Sequence, residues 1–161
     1  MHTFNRLLFL TAAAAILAVV VDVNNRQEKK RKIENPFKEV KNLDEAMAEA
    51  QFEMSAPEII DDYSQKNIEV INDEMIQIHY ENSLKESLTI RKARGNDDIS
   101  GDYNEYSIVK TINIYDTDYT LKGNAGKIHV ITWVKDNFTF AVQSNEGFKT
   151  DIVVKMIKEI A

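Results

Sequence analysis

The sequence contains no cysteine, which excludes a disulfide framework, a thiolate zinc site, a cysteine nucleophile and a lipid carried on an N-terminal cysteine. Histidine is nearly as scarce, since only His79 and His129 lie beyond the N-terminal segment. A zinc site would need both on neighbouring strands plus a carboxylate, so ordinary sheet positions are the simpler reading. No GxSxG elbow occurs, and nothing favours any one of Ser64, Ser83, Ser87, Ser100, Ser107 or Ser144 as a nucleophile. Carboxylates are plentiful but fall in turns and on polar faces, and no pair is singled out for acid/base work. Positive charge is short as well. Residues 35–161 carry 14 basic and 23 acidic side chains, a net of −9, which argues against nucleic-acid binding.

The missing positive charge is concentrated just ahead of that region. Residues 24–34 hold Arg26, Lys29, Lys30, Arg31 and Lys32 against Glu28 and Glu34, a basic stalk of net +3. Before the stalk, Leu7 to Val21 contains a single polar residue, Thr11, with Arg6 on its flank. Residues 1–23 therefore read as a signal peptide or signal anchor. This fifteen-residue run makes a helix of about 22 Å, shorter than the roughly 30 Å hydrocarbon core, which suits a signal peptide. No small-residue pair is well placed for cleavage, however, and an uncleaved anchor from Phe4 to Val23 is the preferred form. Five basic residues follow the apolar run and one precedes it, which taken alone would hold the domain inside. The short leader ahead of the apolar run has the shape of an exported chain, and we expect an extracytoplasmic domain, membrane-anchored or secreted. The stalk can also lie on anionic headgroups.

Only two prolines occur, and both end something. Pro36 turns Asn35 away from the helical region, and Pro57 stops the helix expected over KNLDEAMAEAQ. In that helix Asn42 is the cap, with Glu45 reaching back in a capping box, and Leu43, Ala46, Met47 and Ala50 form the apolar face. From Asn67 to Gln143 the period changes to two. Ile68/Val70, Ile76/Ile78/Tyr80, Leu88/Ile90, Ile112/Ile114, Tyr119/Leu121, Ile128/Val130 and Phe138/Phe140/Val142 predict successive strands joined by short turns. At the end, Phe148, Ile152, Met156 and Ile160 recur at helical spacing, widened by Val153 and Ile157. The expected fold is α+β: an antiparallel meander of about six or seven strands, covered by a short N-terminal helix and a C-terminal amphipathic helix. Residues 35–161 form this single domain.

Three stretches carry a chemical suggestion. GNDDISGDYNEY, residues 95–106, places Asn96, Asp98, Ser100, Gly101 and Asp102 at positions 1, 3, 5, 6 and 7 of a calcium-loop pattern. Position 12 is Ser107 instead of Glu, and both flanks read as strands, so an acidic hairpin loop is preferred and calcium is the minority alternative. KGNAGK, residues 122–127, runs into the strand IHVITW, so it lacks the helix N-terminus that a phosphate loop needs. Tyr80, Tyr106, Trp133, Phe138 and Phe140 could line an apolar mouth between sheet and helix, or simply fill the core.

Taken together, NPFKEVKNLDEAMAEAQFEMSAPEIIDDY, ISGDYNEY, LKGNAGK, ITWVKDNFTFAVQSNEG and the closing amphipathic helix resemble a Gram-positive bacterial family catalogued as a domain of unknown function. The resemblance spans nearly all of residues 35–161. It implies a secreted or membrane-anchored domain, with relatives in anti-sigma-factor-like proteins, and it transfers no catalytic residue. Six residues ahead of the apolar run cannot form a cytoplasmic sigma-binding domain, so the outward-facing domain would stand alone. The function expected is non-catalytic binding or sensing of a protein, cell-wall polymer or lipid in the envelope. The alternative is an envelope hydrolase built from carboxylates and His79 or His129.

Overall fold

The computed structural model describes residues 35–160, with only the backbone at Thr150 and Asp151. The signal or anchor segment and the basic stalk lie outside the described residues. No helix among the described residues is long and apolar enough to cross a membrane. The chain from Pro36 onward forms one compact unit.

Among the described residues, nine strands build one antiparallel sheet. They are β1 (Lys38–Val40), β2 (Ile59–Ile60), β3 (Tyr63–Ile71), β4 (Met75–Glu81), β5 (Ser87–Arg94), β6 (Ile108–Ile114), β7 (Thr117–Asn124), β8 (Lys127–Lys135) and β9 (Phe138–Phe148). Helix α1 (Leu43–Ala50) follows β1, and α2 (Thr150–Glu159) ends the chain. The spatial order is β1-β3-β4-β5-β9-β8-β7-β6, with β2 also pairing β3. This corrects the simple meander: β3–β5 and β6–β9 are each meanders, and they meet at a seam between β5 and β9. Residues 95–107 consequently form a crossover to the far edge of the sheet and not a hairpin loop. Strands β1 and β2 are too short to show a period, and β9 runs five residues past Gln143.

Turn chemistry sets the register. Tyr115-Asp116, Ala125-Gly126 and Asp136-Asn137 all have positive φ, the backbone that two-residue hairpins need to follow the twist of their strands. Gly123 is required for a different reason. A Cβ there would lie 2.0 Å from the carbonyl oxygen of Lys127, at the register shift between β7 and β8.

Both helices cover the same face. In α1, Asn42 Oδ1 accepts the Glu45 N–H at 2.9 Å as expected, but Glu45 Oε2 takes the N–H of Lys41, one residue before the cap. Ala46 and Ala50 are fully buried, so the helix comes close to the sheet. In α2, Val153, Met156 and Ile157 are buried, and Phe148 and Ile160 are buried at its two ends. Between helices and sheet lie Ile68, Val70, Ile76, Ile78, Leu88, Ile90, Leu121, Ile131 and Val142.

Candidate ligand pocket on the helix side of the sheet

Strand register carries one row of side chains across the whole helix-covered face. Ile112, Tyr119, Trp133, Phe140, Lys92, Ile76 and Val70 are successive cross-strand partners from β6 to β3. Cross-strand neighbours on one face stand about 5 Å apart, so the rings must stack. Trp133 and Phe140 are parallel, with centroids 4.8 Å apart and planes 3° apart, and Tyr119 leans on Trp133 at 5.2 Å.

Lys92 ends the aromatic run. It shares the phase of Leu88 and Ile90, so β5 points it into the core, where the residue is only 8% exposed. Its ammonium lies 5.0 Å from the Phe140 ring, 4.8 Å from Phe138 and 5.8 Å from Phe52, positions that the negative faces of the rings favour. One N–H bonds the backbone carbonyl of Glu53 at 2.6 Å. Burial holds the Lys92 ammonium below the usual lysine range, Asp136 and Glu53 oppose that shift, and Lys135 adds to it.

The row opens into a cavity of about 630 Å³ between α2 and the β7–β9 end of the sheet. Tyr119, Trp133, Phe138 and Phe140 supply the aromatic wall, and Ile157 and Ile160 the helix wall. Lys92, Lys135 and Lys158 face Asp136 alone among charged lining residues, so the cavity is positive within an acidic domain. The aromatic and helix walls meet a polar rim of Thr117, Lys135, Asp136 and Lys158, an amphipathic lining. Of the five aromatics picked out in the sequence, Trp133, Phe138 and Phe140 line this cavity. Tyr80 is buried and donates to the carbonyl of Pro57 at 2.8 Å, and Tyr106 lies on the other face. Lys92 was missed because SLTIRKAR ends in basic residues. Its shared phase with Leu88 and Ile90 was the available signal.

The opposite face is polar and partly roofed by the crossover. Arg91 donates to the Gln77 side chain and to the Ser100 carbonyl, and Thr139 Oγ1 donates to the Asp97 carbonyl at 2.9 Å. Gln77 Nε2 donates to Glu69 at 2.7 Å, and His79 reaches Glu69 at 3.0 Å and Thr89 at 3.1 Å. His129 stacks on Tyr106, with ring centroids 5.6 Å apart, and its Nδ1 lies 3.2 Å from the Ser144 carbonyl. His79 is on β4 and His129 on β8, with β5 and β9 between them, so the fold does not bring the two together.

Two of the four acids of the crossover, Asp98 and Asp102, are already engaged. Asp98 meets Lys122 at 2.8 Å and accepts the Ser100 N–H at 2.9 Å. Asp102 accepts the Asn104 N–H and the Tyr106 hydroxyl, each at 2.8 Å. Burial would raise both carboxyls, but these donors outweigh it and hold them below the ordinary range. Among the described residues, no group of three or more His, Asp or Glu is arranged to hold a metal ion. A groove of about 480 Å³ beside the crossover collects Asp97, Asp98, Asp116 and Asp118.

No protein-family model, curated protein or solved structure matches the chain.

Proposed function

We propose that the chain is a non-catalytic binding domain of the cell envelope, and that its ligand is an amphipathic anion seated in the Lys92 pocket. The observation that carries the ligand class is the buried Lys92 ammonium at the end of an aromatic row, opening into a cavity whose other charges are mostly lysines. An apolar or aromatic body would lie against Trp133 and Tyr119. A carboxylate or similar head would take the Lys92 N–H groups that the Glu53 carbonyl leaves over. A charge-assisted bond in such a setting is worth about 1.5–3 kcal/mol, or about 10–100-fold in affinity. The expected anchor and the family resemblance supply the envelope half of the proposal, and a lipid-like anion fits both halves.

Trp133 is the only tryptophan in the chain, so its emission reports the pocket. Titration with 8-anilinonaphthalene-1-sulfonate should quench it, and Lys92→Met should weaken that binding about 10–100-fold. The uncharged analogue N-phenyl-1-naphthylamine should bind both proteins alike. Equal sulfonate affinity in the two proteins would remove Lys92 from the site. For the envelope half, protease added to intact cells should remove a C-terminal tag. A tag that survives until lysis would place the domain inside.

A further inference from the structure

The two edges of the sheet are finished differently. At one edge, β3 is covered by β1 over Ile68–Val70 and by β2 over Tyr63–Ser64. At the other, among the described residues, β6 pairs with β7 alone. Unpaired edges usually carry a bulge, a proline or several charges. β6 has seven residues, IVKTINI, with neither proline nor register shift and with Lys110 as its only charge. Two of the large apolar side chains left in solvent belong here: Val109, 64% exposed, and Tyr115 in the adjoining turn, 81% exposed.

The hydrogen-bond phase of this edge follows from its hairpin. Ile114 and Thr117 flank the two-residue Tyr115-Asp116 turn and so form a hydrogen-bonded pair, which makes Ile112–Tyr119 and Lys110–Leu121 hydrogen-bonded as well. The N–H and C=O groups of Val109, Thr111 and Asn113 therefore point outward. Those three residues are symmetric about Thr111. We propose that β6 is the interface for a second copy of this chain, paired antiparallel about a twofold axis at Thr111, so that two sheets become one.

In that register Thr111 meets Thr111 of the other copy and Val109 meets Asn113, which gives about six new backbone hydrogen bonds at two per pair. Lys110 falls opposite Ile112, and Ile108 opposite Ile114, so no like charges are apposed. Moving the axis to Lys110 would set the two ammonium groups face to face. Ile108, Ile112 and Ile114, only partly buried in one copy, would close against each other. A seven-residue strand buries less than a standard interface, so the association should be reversible and concentration-dependent. The pairing does not rest on the ligand proposed for the Lys92 pocket, although Tyr115 also borders that pocket.

The absence of cysteine makes the test clean. Hydrogen-bonded antiparallel partners sit about 5.5 Å apart at Cα, within disulfide range. The full-length chain carrying Thr111→Cys, oxidised in mild detergent, should give a disulfide dimer at least tenfold in excess of a Lys66→Cys control on β3. A double variant, Val109→Cys with Asn113→Cys, should cross-link likewise. Adding Thr111→Pro to that double variant removes an outward N–H that β7 does not use, and should abolish cross-linking while circular dichroism shows the fold retained. If Thr111→Cys cross-links no better than Lys66→Cys, or the proline leaves the double variant's yield unchanged, the proposal is overturned. An adduct to a different chain would overturn the second-copy assignment.

Discussion

A lysine ammonium buried on the core side of a sheet has a cost, and replacing Lys92 by methionine measures it. Removing the charge gives up the 2.6 Å bond to the Glu53 carbonyl and the three ring contacts. Such terms are worth about 1.5–3 and about 0.5–2 kcal/mol respectively. The substitution also recovers a desolvation cost, reduced because the ammonium borders the open cavity, and the thioether keeps favourable contacts with the rings. We expect Lys92→Met to stabilise the domain of residues 35–161 by about 1 kcal/mol at pH 7, a rise in Tm of about 3–6 °C. Chemical unfolding followed by Trp133 emission measures this.

The pH dependence has a definite sign. Burial sets the folded pKa of Lys92 below its ordinary 10.5, so between those two values the unfolded chain binds more protons. The cost of the wild-type lysine is thus fully present below the folded value and fades as pH rises towards 10.5. The methionine variant's advantage should shrink over that window. Tyr63, Tyr80, Tyr106 and Tyr119, whose hydroxyls burial pushes up, lower the stability of both proteins there and cancel in the difference. A variant less stable than wild type by over about 1 kcal/mol at pH 7, or a difference flat with pH, would refute the reasoning.

Two further outcomes follow from other contacts. Gly123→Ala puts a methyl 2.0 Å from the Lys127 carbonyl oxygen, where only backbone can yield, and should cost about 3 kcal/mol or more in chemical denaturation. Gly126→Ala, with open space but φ of +79°, should cost only about 1 kcal/mol, and the reverse order would contradict the packing at β7–β8. Asp102→Asn should lose about 1 kcal/mol at neutral pH. Because the folded Asp102 titrates below the ordinary carboxylate range, its contribution is present above about pH 4 and lost as pH falls through the folded value. The unfolding curves of the wild type and of the Asp102→Asn variant should therefore converge on acidification, and parallel curves would remove Asp102 from the crossover's anchoring.

Period-two alternation was enough to place β3 to β9, because each carries a row of apolar side chains on the helix side of the sheet. The partner of β5 was not legible. Ile90 pairs with Val142 across about fifty residues of chain, and nothing local at either position encodes that choice. The short β1 and β2 carry too few residues to show a period. For the site, the aromatic members were visible as strand-phase residues, but their stacking depended on register. Lys92 was hidden because its charge reads as surface, whereas the alternation of Leu88 and Ile90 sends it inward.

The seam between β5 and β9 also sets the order in which this chain can complete the Lys92 pocket. Each half of the sheet closes through neighbouring hairpins, with little chain entropy to overcome, whereas the seam closes a loop of about fifty residues and is intrinsically slower. Lys92 stands on one half, and Tyr119, Trp133 and Phe140 stand on the other. The β6–β9 half and α2 line the rest of the pocket, and only the zipped sheet adds Lys92 to it. An anion bonded to Lys92 as well as to the aromatic wall would hold the zipped sheet more tightly than the open one and resist local opening along that line, so occupancy and seam closure would be one linked equilibrium.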